Sequence, residues 1–125
     1  ASCLVGSEMC IRDRYNANPT SMLAAIENFQ AITHKNKTII LGDMFELGNN
    51  TEIEHKLLYK LVISKKFTNS FFVGLMFKDC LKNTPNVFET KEELISHLIQ
   101  KPITNSLILI KGSRGIGLET ITESI

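Results

Sequence analysis

The chain has 125 residues and a mass of 14.1 kDa, enough for one compact domain and too little for two. With 43% hydrophobic and 22% charged residues it carries material for a core and lacks the charge excess of a disordered chain. Fourteen Lys and Arg against thirteen Asp and Glu leave a net charge of +1, so no global field exists to hold a polyanion, and nucleic acid is not an expected partner.

A possible strand precedes residue 13. From residue 15 onward, apolar runs of strand length alternate with helical patterns, the order of β-α-β units around a parallel sheet. Asn18 can cap, Pro19 stands where a first helical turn tolerates proline, and Met22, Ile26, Phe29 and Ile32 share a face, predicting a helix over residues 19–34. Residues 38–41 form a continuous β-rich run closed by Gly42, the mark of a strand covered on both faces. After a loop at 43–50, Thr51 and Glu54 make a T-x-x-E capping box. Ile53, Leu57, Leu58, Leu61 and Val62 then carry a second helix to about residue 66. Residues 71–73, closed by Gly74, read as a strand, followed by a short helix over 76–82 and an extended piece at 87–89. A second capping box, Thr90 with Glu93, opens a helix whose apolar face is Leu94, Ile95, Leu98 and Ile99, with Pro102 just past its end. Residues 107–110 are the last clear strand, and 115–124 a terminal helix. The expected fold class is α/β: a Rossmann-like, doubly wound, mostly parallel sheet of about five to six strands with helices on both faces.

No stretch approaches the roughly 20 apolar residues of a membrane helix, so a soluble protein without membrane insertion is expected. The three cysteines, Cys3, Cys10 and Cys80, form no C-x-x-C pair, which supports neither a disulfide framework nor a zinc knuckle and points to a reducing compartment. Residue 1 is Ala, and the first residues lack the basic start and cleavage site of a signal peptide. A cytoplasmic piece of a longer protein is expected.

In doubly wound sheets, ligands bind beyond the carboxyl ends of the strands. Three loops there are chemically loaded. In the first, Asp13, Tyr15, Asn16 and Asn18 could hold a ribose, a phosphate or an adenine edge; a cap at Asn18 and a turn at Asn16 are an equally good account. In the second, Asp43 and Glu46 could meet a metal, a sugar hydroxyl or an amine. With no His or third oxygen ligand nearby in sequence no metal site is expected, and Glu46 reads more simply as a solvated acid. Met44 and Leu47 are expected to face the core.

The third loop, with Lys111, Ser113, Arg114 and three glycines, suits a carboxylate or phosphate. Its Ser-Arg-Gly-Ile-Gly resembles the cofactor loop of short-chain dehydrogenases. That fingerprint, however, needs Thr at Ile110 and Gly at Lys111, and must open a β-α-β unit with an acid about 20 residues on. Only residues 118–125 follow, and no dinucleotide site is expected. His34, His55 and His97 lie at helical positions without ligand spacing and read as structural. Neither a G-x-x-x-x-G-K-[ST] loop nor a G-x-S-x-G elbow is present, so the catalytic apparatus is incomplete.

Taken together, Tyr-Asn-Ala-Asn-Pro-Thr-Ser-Met at 15–22, Leu-Gly-Asp-Met-Phe-Glu-Leu-Gly at 41–48 with His55 after it, and Ile-Lys-Gly-Ser-Arg-Gly at 110–115 resemble the C-terminal domain of the Mur ligases. The resemblance covers residues 13–125. It implies one domain of a three-domain bacterial enzyme of peptidoglycan-precursor synthesis. ATP and Mg2+ would be bound mainly by a central domain outside this chain, and a carboxylate activated as an acyl phosphate. The likeness is strongest to the branch that joins D-Ala-D-Ala to UDP-MurNAc-tripeptide. By resemblance, Asp13, Tyr15, Asn16 and Asn18 meet the nucleotide, Lys111, Ser113 and Arg114 line the dipeptide and acyl-phosphate side, and Asp43 and Glu46 shape the cleft wall. The isolated chain is expected to be inactive, and Lys111→Ala to lower ligation with little loss of fold.

Residues 1–12 depart from the family's approach to this motif and resemble translated library-adapter sequence, so a non-native segment and a partly lost first strand are expected. The alternative function is a stand-alone, non-catalytic module binding a nucleotide or dipeptide through the same loops. A structural domain with degenerate loops is the third reading. Affinity of the isolated chain for D-Ala-D-Ala or ATP would favour the module.

Overall fold

The computed structural model describes residues 2–5, 10–13 and 17–113. Its elements are β1 (Ser2–Val5), β2 (Cys10–Asp13), α1 (Pro19–Ala31), β3 (Lys37–Gly42), a 3-10 turn at Gly48–Asn50, α2 (Thr51–Lys65), β4 (Asn69–Val73), α3 (Leu75–Cys80), β5 (Val87–Phe88), α4 (Lys91–Gln100) and β6 (Leu107–Lys111). The strands form one sheet in the order β2-β1-β6-β3-β4-β5. Strands β6, β3, β4 and β5 run parallel, and β1 is antiparallel to both β6 and β2. This is the mostly parallel sheet expected, with one difference: two paired strands, not one possible strand, precede α1. The expected terminal helix at 115–124 lies outside the described residues.

Side-chain alternation along the strands divides the core between two faces. On one, Met22, Ile26 and Phe29 of α1, Leu58 and Val62 of α2 and Phe77 of α3 pack on Ile39, Leu41, Phe72 and Leu109. On the other, Leu94 and Leu98 of α4 pack on Ile40, Phe71, Val73, Ile108 and Ile110. Strand β3 is covered on both sides, so its run from Thr38 to Leu41 is buried without a break, as a continuous apolar strand requires.

Helices α1 and α2 each differ from the sequence reading at one end, for a local reason. Helix α1 stops at Ala31, where Ile32 turns to extended backbone. The Lys37 ammonium donates to the Phe29 and Gln30 carbonyls at 2.9 and 2.8 Å, satisfying acceptors that a further turn of helix would have used. Thr51 does not cap α2. Its hydroxyl donates to the Gly48 carbonyl at 2.8 Å, so the helix is entered through the 3-10 turn. At α4, Thr90 caps as expected, accepting from the Glu93 N–H, while the Glu93 carboxylate accepts from Glu89 N–H. The apolar stripes also exceed the sheet contact. Ile53 and Leu57 on α2 and Ile99 on α4 are solvent-facing, with Ile99 68% exposed.

Candidate functional site

From β3 the chain steps outward to β4 and β5, then returns through α4 to place β6 on the other side of β3. The adjoining carboxyl ends of β3 and β6 are therefore the topological switch point, where an α/β sheet opens a crevice. Leu41 and Lys111 are register partners, which brings the loops after them side by side. The Ser113 N–H donates to the Asp43 carbonyl at 3.1 Å, and the Phe45 N–H donates to Ser113 Oγ at 3.2 Å. Two of the three loops marked in the sequence thus form a single wall.

The first loop leaves the same sheet edge. Ser2 is paired with Lys111 on one side and with Asp13 on the other, so β2 ends two strands, about 10 Å, from the end of β6. Tyr15, Asn16 and Arg114 lie outside the described residues. Asn18 caps α1, with Oδ1 accepting from Ser21 N–H at 2.9 Å and Ser21 Oγ accepting from Asn18 N–H at 3.0 Å. A cavity of about 260 Å³ beside it is lined by Pro19, Leu23, Met44, Glu54, Leu57 and Leu61. Met44 is shared between this cavity and the crevice wall.

Asp43 is fully buried, and both its oxygens are engaged. Oδ2 accepts from Met76 N–H at 2.9 Å and Oδ1 from Phe77 N–H at 3.0 Å, capping α3 with a carboxylate where the helix presents free donors. Burial pushes its carboxyl above the usual value of 3.8, against the opposing pull of the two N–H groups. Asp43 therefore shapes the wall by holding α3. Gly74, between them, has φ 134° and ψ 161°, and a Cβ there would lie 2.2 Å from Asp43 Cγ.

Glu46 is exposed on left-handed backbone at φ 64°, and Met44 is fully buried with Leu47 partly so. Lys111 and Ser113 are buried at the crevice, at 0% and 3% exposure. Complete burial revises the expectation for Lys111→Ala, which would empty core volume as well as remove a charge.

His55 was expected to be structural, and the geometry ties it to this site. Its ring is fully buried, and Nε2 accepts from Met44 N–H at 3.0 Å. A signal was available: His55 stands three and seven residues before Leu58 and Val62, on the buried face of α2. Among the described residues, no group of three His, Cys, Asp or Glu is placed to hold a metal ion, and no helix is long and apolar enough to cross a membrane.

A family model described as "Mur ligase, glutamate ligase domain" matches residues 4–114. The UDP-N-acetylmuramoyl-tripeptide--D-alanyl-D-alanine ligase of Rickettsia prowazekii is 39% identical over 118 residues, which cover 90% of this chain and 26% of that protein. The enzyme of the same name from Bacillus subtilis is 32% identical over 124 residues, covering 92% and 27%. A crystal structure of MurF from Acinetobacter baumannii aligns with a TM-score of 0.77 and 30% identity, over 97% of this chain and 28% of that one. A MurF ligase from Thermotoga maritima in complex with ADP, 19% identical, shares the fold at a TM-score of 0.69, over 88% of this chain and 26% of its own. The chain spans about a quarter of the length of these relatives.

Proposed function

The chain belongs to the Mur ligase family, and on that premise we propose that it is the C-terminal domain of an ATP-dependent ligase adding D-Ala-D-Ala to UDP-MurNAc-tripeptide in the bacterial cytoplasm. The observation that carries this reading is the joining of the Asp43–Phe45 and Lys111–Ser113 segments into one wall at the switch point. Identity of 39% to a ligase of that name supports the substrate assignment. The three motif loops that carry this reading lie within residues 13–125.

Bound with Mg2+, mainly to domains outside this chain, ATP supplies activation of the tripeptide carboxylate as an acyl phosphate. The crevice fits anionic chemistry. A buried lysine and, two residues on, a buried serine supply donor types suited to a phosphate or carboxylate oxygen. Lys111 offsets the negative charge that develops as the dipeptide amine attacks the acyl carbon, in a site where exclusion of water strengthens the interaction. Ser113, whose oxygen accepts from Phe45 N–H, keeps its proton to donate. Arg114 extends the same cationic run, Asp13, Tyr15, Asn16 and Asn18 face the nucleotide, and Asp43 with Glu46 bounds the cleft. Such a domain works by positioning and electrostatics and is inactive by itself.

The test is D-Ala-D-Ala-dependent phosphate release by a full-length ligase carrying this domain, with and without Lys111→Met. Methionine preserves most of the buried volume, so the fold is retained while ligation falls on the order of a hundredfold. Unchanged kinetics would refute the site assignment. Tight binding of D-Ala-D-Ala or ATP by the 125-residue chain alone would favour a free-standing binding module instead.

A further inference from the structure

The ligase reading leaves His55 without a task, yet both of its ring nitrogens are engaged. Met44 N–H donates to Nε2 at 3.0 Å, and Nδ1 lies 2.6 Å from the Thr51 carbonyl oxygen. An amide can only donate and a carbonyl can only accept, so the ring proton sits on Nδ1 and the imidazole is neutral. The ring edge meets Phe77 at 4.7 Å and 81°. Asp43 Oδ1, 3.9 Å from Nε2, is too far for a hydrogen bond and already holds Phe77 N–H. His55 thus clamps the first residue buried after Asp43 to the first turn of α2.

The next amide in the chain is the one that crosses the crevice, Phe45 N–H to Ser113 Oγ at 3.2 Å. Peptide planes are rigid, so only the two backbone torsions of Met44 separate the N–H held by His55 from the N–H held by Ser113. Holding one constrains the other. Releasing Met44 N–H would bury an unsatisfied donor and free the loop to turn, taking Phe45 N–H off the serine.

We propose that His55 is a positioning residue for ligation: by holding the Met44 amide it keeps Phe45 N–H on Ser113 Oγ, and so aims the Ser113 hydroxyl proton into the crevice. The inference rests on the ligase reading and assigns a second-rank role within it, through backbone and not through contact with substrate.

The experiment uses the full-length ligase carrying this domain. His55→Leu keeps volume against Phe77 and removes the acceptor, whereas His55→Gln returns an acceptor oxygen near the place of Nε2. Expected is a fall in kcat on the order of tenfold for His55→Leu with KM for D-Ala-D-Ala little changed, and recovery of most of it in His55→Gln. His55→Leu combined with Ser113→Ala should be no slower than Ser113→Ala alone, since both remove the same interaction. Leu94→Ala, a core change on the opposite sheet face, should leave kcat unchanged at temperatures where it is folded. Multiplying effects of His55→Leu and Ser113→Ala, or a His55→Leu enzyme at full rate, would overturn the proposal. Amide hydrogen exchange reads the clamp without activity: protection of Met44 and Phe45 N–H should drop in His55→Leu, and unchanged protection overturns it. Absence of D-Ala-D-Ala-dependent turnover in the unsubstituted enzyme would instead refute the ligase reading, with exchange still deciding whether His55 holds the loop.

Discussion

Gly74→Ala is the sharpest available probe of how the crevice wall is held. At φ 134° and ψ 161° the position lies in a backbone region that is essentially confined to glycine, and forcing another residue there costs about 1–3 kcal/mol. The added Cβ would also stand 2.2 Å from Asp43 Cγ and 2.3 Å from each carboxylate oxygen, so the carboxylate must leave. Its departure breaks the bonds to Met76 and Phe77 N–H, each worth about 1.5–3 kcal/mol for an ionised acceptor. Shared relaxation keeps these from adding fully, and a loss of about 4–6 kcal/mol is expected, a large part of the roughly 5–15 kcal/mol that holds a domain. Urea unfolding followed by far-UV circular dichroism is the suitable assay, because the chain contains no tryptophan. In an Asp43→Ala background the clash is gone, so Gly74→Ala should cost only the backbone strain of about 1–3 kcal/mol. A single-variant loss below about 1 kcal/mol, or losses that simply add in the double variant, would refute the account of Asp43 wedged between Gly74 and α3.

Burial raises the Asp43 carboxyl above 3.8, so the folded state binds that proton more tightly than the unfolded chain does; its contribution to stability is fullest below 3.8 and is lost as pH rises through the folded value. Asp43→Asn should therefore gain on the unsubstituted protein in urea midpoint as pH is raised from about 4 to 7, and the opposite trend would contradict the direction of the shift. Leu94→Ala empties a fully buried site and should cost about 2–5 kcal/mol, whereas Ile99→Ala, 68% exposed on the same helix, should stay within about 0.5; equal losses would sink the assignment of α4's buried face. Lys37→Met removes the ammonium from the Phe29 and Gln30 carbonyls and should cost about 1–2 kcal/mol, with exchange protection falling first in the last turn of α1. Loss of protection spread evenly over the chain would argue against a local cap.

The three loops differ in how much of the site their sequence discloses. Lys111 and Ser113 stood out because cations, hydroxyls and glycines after an apolar strand are unusual, and the structure places both at the switch point. Asp43 stood out as an acid just past a strand end, a group that could meet something bound. Its carboxylate caps α3, 33 and 34 residues further along the chain, a partner that no local pattern announces. His55 was readable as buried from its spacing to Leu58 and Val62, but its bond to Met44 depends on how α2 folds back over the end of β3. Thr51 shows the reverse error: a sound capping motif gave way to a 3-10 turn that uses the same hydroxyl on Gly48.

Local pattern along the chain is enough to settle the α/β class, the helix faces and the three loops that carry polar chemistry. Burial periodicity and glycine placement are properties of near neighbours, read within a few residues. The strand order that puts β6 beside β3, the antiparallel pairing of β1 and β2, and the joining of Asp43, His55, Phe45 and Ser113 into one wall emerge only in the folded chain. Those depend on contacts between residues far apart in the chain, such as Phe45 and Ser113 at a separation of 68, which arise when separate strands share a sheet. Hydrophobic pattern says that a strand must be covered, and it does not say by which neighbour.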